Sequence, residues 1–292
     1  TLITSSAASD VYKRQSIGGS PTNVAVAAAR HGHHAAVVTK VGTDALGDYV
    51  IALLNEWGVD TRYVGRDDSA LTPVVLAALA PPEEPQIIFY RGQAAPDTTV
   101  TQDEVPVDDV RGCRVLWMSQ GALALGATAE SSFAWLELRG RSDDRDTVLD
   151  LDYRPTMWSS VHEARAAAQR AIAQSSVVVG NRTECEMAVG LDEPDAIVDD
   201  LLERGVRLAI VKLGGGGVLV ADSSDRIRID PLDIDVLCGL GAGDAFGGAL
   251  VHGLLSAWDL ERIGRFANGA GAYVATQLTC ADAMPTTTIV DE

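Results

Sequence analysis

The chain has 292 residues, 47% hydrophobic and 22% charged, an ordinary globular balance with enough length to bury a sizeable core. A formal net charge of −18 argues against nucleic acid or an anionic membrane surface as partner, and obliges any anionic substrate to be met by a local cluster of cations and N–H donors. Four scattered cysteines without C-x-x-C spacing suggest neither a zinc site nor a disulfide framework, which fits a reducing cytoplasm, and no apolar run approaches the ~20 residues of a membrane span.

In chain order, residues 1–15 are polar, lack a β-run or signal-peptide pattern, and join the rest abruptly at Ile17. They are expected to be an atypical, non-native or truncated segment ahead of one domain spanning 16–292. Residues 20–31 read as a helix, with Ser20 at the cap, Pro21 at the first position and Gly32 past the end. "AAVVTKVG" follows as a strand and "ALGDYVIALLNEWG" as a helix. "PVVLAAL" and "QIIFY", joined by "APPEEP", predict a hairpin that interrupts the βα rhythm and forms a small lid within about 70–92. The rhythm resumes with strands at "RVLWMSQ", "TVLDLDY", "SSVVVGN", "LAIVKLG" and "GVLVAD". Helices fall near 127–140, 160–174, 183–189, 194–204, 243–257 and 260–277. Buried strands alternating with helices imply an α/β fold with a doubly wound, mostly parallel sheet.

Ligands of such sheets bind beyond the carboxyl ends of the strands, so strand-end residues carry the most weight. "VKLGGGG" puts Lys212 at one strand end before four glycines, a nucleotide turn or a plain Gly-rich hairpin. "GNRTE" puts Asn181 and Glu184 after another, where Asn181 reads equally as a helix cap. "DLDYRPTMW" ends a third with Asp150, Asp152 and Arg154, an acid–base group or a salt bridge. "FYRG" ends the hairpin with Arg91, and "GGSPTN" places Gly18, Gly19 and Asn23 ahead of the first helix. "GLGAGDAFGGALVHGLL", residues 239–255, sets Asp244 in a run of glycines before an apolar helix. The unpaired N–H donors of that first turn suit a phosphate. Asp244 is then either a helix cap or a base beside a bound anion.

Taken together, "GGSPTN", "DLDYRPTMW", "NRTE", "VKLGGGG" and "GLGAGDAF", in this order and spacing, resemble the ribokinase-like (PfkB) sugar kinases from residue 17 to about 290. The resemblance implies Mg-ATP as donor and dimers paired through their lids. It makes Asp244 the base that deprotonates a sugar's primary hydroxyl, and the N–H groups of Gly241, Ala242 and Gly243 the anion hole. It assigns Gly18, Gly19 and Asn23 to the sugar, and Arg91 and Arg154 to a substrate carboxylate or the transferred phosphate. Asn181, Glu184, Lys212, Gly214, Gly217 and Asn268 are assigned to the nucleotide cleft, with Glu184 holding Mg²⁺ through water. "DLDYRP", "IIFYRG" and "ADAMPT" narrow the expected acceptor to 5-dehydro-2-deoxy-D-gluconate, a sugar acid of myo-inositol breakdown. The alternatives are 2-keto-3-deoxygluconate or fructose, or sugar-acid binding without turnover. A dinucleotide oxidoreductase is disfavoured because no G-x-G-x-x-G follows the first clear strand. Two departures stand out: Asp152 replaces the Asn of the D-x-N-x-R pattern, and Cys238 and Gly239 occupy the outer part of the anion loop.

Overall fold

The computed structural model describes residues 16–78, 81–83, 85–92 and 94–292. The expectations placed on residues 1–15 lie outside the described residues. In chain order the elements are α1 (Ser20–Arg30), β1 (Thr39–Gly42), α2 (Ala45–Glu56), β2 (Val64–Asp67), β3 (Val74–Ala78) and β4 (Gln86–Tyr90). Next come α3 (Val107–Gly112), β5 (Val115–Ser119), α4 (Gly126–Arg139), β6 (Asp146–Asp150), α5 (Val161–Ile172) and β7 (Val177–Asn181). The second half continues with α6 (Arg182–Val189), α7 (Pro194–Glu203), β8 (Leu208–Lys212), β9 (Val218–Asp222), β10 (Arg226–Ile229), α8 (Ala242–Leu255), α9 (Leu260–Ala275) and α10 (Thr287–Asp291).

Six strands form the main sheet in the order β10-β9-β8-β7-β6-β5. The β5–β6, β6–β7 and β7–β8 pairings are parallel, whereas β8–β9 and β9–β10 are antiparallel, so the parallel reading holds for the four strands that carry the strand-end residues. Strand β10 was not anticipated, because "RIRI" alternates charge with isoleucine on an exposed edge. The same is true of β2, which pairs in parallel with β1 as a separate small sheet.

Alternation along the central strands explains the layers. Val148, Val177, Val179, Leu208 and Ile210 face one core, with Ala27, Phe246, Leu250, Ile263 and Phe266 from α1, α8 and α9. Leu149, Val178, Ala209 and Val211 face the other, with Leu136, Ala168, Cys185, Ile197 and Leu201 from α4 to α7. Helices therefore cover both faces, and each fully buried Leu, Ile or Val contributes roughly 1.5–3 kcal/mol. The α9 stripe of Ile263, Phe266, Ala267, Ala270 and Val274 has the helical spacing that this one-sided burial requires.

The α1 and α8 helices lie side by side in one register. Asn23 meets Asp244, Ala27 meets Gly248 one turn later, and His31 stacks on His252 one turn beyond that, ring centroids 5.2 Å apart. The β3–β4 hairpin forms as expected, with Val74 opposite Tyr90 and Leu76 opposite Ile88.

Candidate active site

The carboxyl ends of β5 to β8 line up through the strand register. Ser119 pairs with Asp150, and Asn181 with Lys212, so four polar residues arrive at one sheet edge. The start of α8 meets this edge: a Cβ on Gly243 would lie 3.3 Å from Lys212 Nζ. Gly241 takes the αL conformation at φ 87° as the N-cap, which a residue with a Cβ adopts only under strain, and a Cβ there would crowd Cys280 at 3.1 Å. The N–H groups of Gly241, Gly243 and Asp244 meet no acceptor among the described residues. That of Ala242 makes a long 3.3 Å bond to the Gly239 carbonyl.

Asp244 is not a side-chain cap; it sits in the first turn of α8, where Asn23 Nδ2 donates to its Oδ2 at 2.7 Å. Burial pushes its pKa up to about 6, against the stabilising bond from Asn23. Oδ1 of Asn23 is buried without a partner among the described residues, so this amide retains an acceptor for an incoming hydroxyl. Gly18 and Gly19 are exposed just before it, with Gly19 at φ 100°.

Asp150 is buried at 3% exposure, and that burial holds its carboxyl well above the usual carboxylate range, opposed by the charge on Lys212. It is the one strand-end acid whose weight the sequence reading underestimated. Its signal was present: a charge closing the inward-facing run "TVLD" of a strand buried on both faces. Burial alone would lower the pKa of Lys212, but Asp150, Glu184, Asp244 and Asp152 outweigh it and hold the pKa above its ordinary value. Arg154 pairs with Asp152 at 2.6 Å, and the Ser119 hydroxyl approaches the same carboxylate at 3.4 Å.

The remaining candidates are placed as follows. Asn181 and Glu184 form a reciprocal capping box on α6: Glu184 N–H donates to Asn181 Oδ1 at 2.9 Å, and Asn181 N–H donates to Glu184 Oε2 at 2.7 Å. The other Glu184 oxygen has no partner among the described residues. Gly214 and Gly217 take positive φ in a tight turn between β8 and β9, and a Cβ on Gly217 would collide with the Ile229 carbonyl. Close passage of β10 therefore demands Gly217, whatever the turn binds. Asn268 lies on α9 and donates to the Asp230 carbonyl at 3.1 Å.

Arg91 pairs with Asp97 at 2.8 Å and lines a cavity of about 870 Å³ with Asp44, Thr72, Phe89 and Tyr90. The sequence reading also missed where the hairpin tip goes. Gly239 N–H donates to the Pro82 carbonyl at 2.8 Å, and a Cβ on Gly239 would collide with the Glu83 carbonyl. The glycine that departs from the common anion-loop pattern is the one that lets the hairpin tip rest on this loop.

A carboxylate beside N–H donors without acceptors at a helix start, near a lysine, suits phosphoryl transfer. The sequence pattern of the pfkB family carbohydrate kinases matches residues 10–287. The chain belongs to this family. Among curated relatives, the 5-dehydro-2-deoxygluconokinase of Shouchella clausii is 29% identical over 92% of this chain and 83% of its own length. The 5-dehydro-2-deoxygluconokinase of Clostridium tetani is 28% identical over 92% and 81%. Among solved structures, the fructokinase of Vibrio cholerae O395 with fructose, ADP and calcium ion bound superimposes with a TM-score of 0.83 at 26% identity, covering 94% of this chain and 90% of that one. As a pfkB family carbohydrate kinase, the chain carries an α/β ribokinase-like fold built on its six-stranded sheet.

Proposed function

We propose that this chain transfers the γ-phosphoryl group of ATP to the terminal primary hydroxyl of 5-dehydro-2-deoxy-D-gluconate. The observation that carries the reading is the half-buried Asp244, held by Asn23 in the first turn of α8 beside N–H groups without acceptors among the described residues. Asp244 takes the proton of the acceptor hydroxyl as its oxygen attacks phosphorus in line. The N–H groups of Gly241 and Gly243, joined by Ala242 when it gives up its long bond to Gly239, take the charge that builds on the phosphoryl oxygens. Gly18, Gly19 and Asn23 hold the sugar hydroxyls, and the β3–β4 hairpin is the lid over them. Gly214, Gly217 and Asn268 line the rest of the nucleotide cleft.

Mg²⁺, when bound, neutralises charge on the phosphates. The residues present fit it: the free Glu184 oxygen is a hard donor next to the strand ends. Mg²⁺ dehydrates reluctantly, so this oxygen would hold it through water. Asn181 and Glu184 orient those waters. The cytoplasm, where ATP and free thiols coexist, is the compartment we assign.

A panel of sugar acids and neutral sugars, with ATP consumption as readout, tests the reading. Turnover with 5-dehydro-2-deoxygluconate well above all others is expected. Preference for 2-keto-3-deoxygluconate or fructose would move the acceptor to those sugars, and binding without turnover on any acceptor would reduce the chain to a sugar-acid binding protein.

Acid recognition falls to Arg154 or Arg91: Arg154 pairs with Asp152 in the cluster that holds Asp244, and Arg91 pairs with Asp97 at the cavity beside the hairpin. Replacing Arg154 by Met is expected to lower kcat/KM on the acidic acceptor by roughly 10–100-fold, the value of a lost charge-assisted bond, and to leave a neutral sugar within a few-fold. An equal loss on both classes would assign Arg154 to the phosphate.

The lid also supports a homodimer. The register puts Val74, Leu76, Ile88 and Tyr90 on one face of the hairpin, with Leu76 at 52%, Ile88 at 53% and Tyr90 at 61% exposure. A two-stranded sheet with one bare apolar face is marginal alone, and a second copy of the same face is a self-complementary cover for it. Light scattering should give twice the chain mass, and Leu76→Asp should return the monomer. A monomeric parent at tens of micromolar would remove the proposal.

A further inference from the structure

Ser20 carries a hydroxyl that the fold leaves unspent. Its sequence position suits it to capping α1, yet the cap residue is Gly19, and no side chain caps the helix. Ser20 is instead the first helical residue, and its Oγ is buried without a hydrogen-bond partner among the described residues. A buried hydroxyl without a partner costs free energy, and alanine would serve the start of this Ala- and Val-rich helix better. Packing therefore gives no reason for a hydroxyl here, but the neighbouring acid does. Ser20 and Asn23 stand three residues apart, one turn along the face of α1 that meets α8. Asn23 Nδ2 holds Oδ2 of Asp244 at 2.7 Å. The Ser20 hydroxyl stands beside the same carboxylate, where burial raises the pKa and first Asn23, then Ser20, opposes the rise.

We propose that Ser20 is a positioning residue for the base: by a rotation of its own side chain its hydroxyl donates a hydrogen bond to the Asp244 carboxylate, so that two side chains of α1 hold the acid in place. The inference rests on the kinase reading above and names a second group that serves its base. A carboxylate held through one oxygen still turns about its last side-chain bond, whereas a second donor fixes its plane and favours the charged form that takes a proton. The other titratable groups facing Asp244 are Asp150, Asp152 and Arg154 at and after the end of β6, Lys212 at the end of β8, and the thiol of Cys280, which burial keeps protonated. None of them is altered when Ser20 is replaced, so a change in the titration of Asp244 reports the hydroxyl.

The test reads Asp244 directly and needs neither acceptor nor nucleotide. The carboxyl carbon of Asp244 is followed by ¹³C NMR against pH in the parent, Ser20→Ala and Ser20→Thr, its signal assigned by its absence from Asp244→Asn. Ser20→Ala is expected to move the midpoint up by about half a pH unit or more, and to melt no lower than the parent, since it removes an unpartnered hydroxyl from a helix. Ser20→Thr, which keeps the hydroxyl, should restore the midpoint. With acceptor and Mg-ATP present, the acid limb of kcat/KM should move in Ser20→Ala by the same amount. In that variant kcat above the limb should fall roughly 3–10-fold, because the base is less well aimed, while the KM for ATP stays within about twofold. Equal midpoints in the parent and Ser20→Ala would overturn the proposal. A lower melting temperature with an unmoved midpoint would do the same, and would make Ser20 a structural residue of α1. A moved midpoint in a chain that phosphorylates no acceptor would sink the kinase reading and leave the hold of Ser20 on Asp244 standing.

Discussion

Asp244→Asn is expected to lower kcat by roughly 10²–10⁴ while the affinity for ATP stays within about twofold. The amide keeps the size of the carboxyl and its place in the first turn of α8, so packing and the Gly241 turn are preserved; what disappears is the proton acceptor. The parent enzyme also carries a pH signature of this group. Burial raises the Asp244 pKa to about 6, so the carboxylate is mostly ionised at pH 7 and becomes protonated as pH falls through 6. A protonated carboxyl cannot take the hydroxyl proton, so kcat/KM should fall about tenfold per unit below pH 6 and level off above it. In Asp244→Asn that limb should vanish along with the activity. Turnover of the variant within a few-fold of the parent, with the limb retained, would make Asp244 a structural acid and move the base elsewhere.

The second large effect is expected one helical turn from the base. A Cβ on Gly248 would collide with the Cβ of Ala27 and lie 3.1 Å from the Ala27 backbone, so α1 and α8 touch backbone to backbone at this layer. One turn earlier on the same two helices stand Asn23 and Asp244, 2.7 Å apart. The glycine thus sets the spacing at which amide and carboxylate meet. Gly248→Val must push the helices apart, since neither a helix backbone nor an alanine methyl can give way. Overpacking of this kind costs about 3 kcal/mol, seen as a melting temperature lower by several degrees. The functional consequence is separable from the loss of stability. At a temperature where the variant is fully folded, acceptor KM should rise about tenfold, because Asn23 loses its hold on Asp244, while ATP affinity changes little. A variant that melts like the parent with normal acceptor KM would mean that the helices are not in fixed contact.

The course of the chain was largely legible in its residues. Central strands such as "SSVVVGN" and "LAIVKLG" are apolar on both faces, and helices such as α9 carry a stripe at helical spacing, so local pattern and tertiary burial agree there. Strands β2 and β10 escaped because four-residue edge strands with charged positions carry no period distinct from a loop. The helix caps were legible in part: Asn181 caps α6 as read, but the cap of α1 is Gly19 at positive φ and not Ser20, which is already the first helical residue ahead of Pro21.

The site divides along the same line. Residue type and order picked out Lys212 and Arg154, as cations at or just after the ends of buried strands, and Asn23 and Asp244, as polar residues behind glycine turns at helix starts. Which of them meet is a matter of through-space distance, and sequence separation holds no information on it. Asn23 and Asp244 are 221 positions apart and are joined only because Gly248 lets α1 lie against α8. Arg91 and Arg154 are equivalent as letters, yet the fold pairs Arg91 with Asp97 and Arg154 with Asp152 in the cluster with Asp244, since a guanidinium binds whichever carboxylate the backbone brings within reach. Likewise the charge state of Asp150 and the raised pKa of Asp244 come from burial, which is a property of the layers packed over the strand ends and not of the acids themselves.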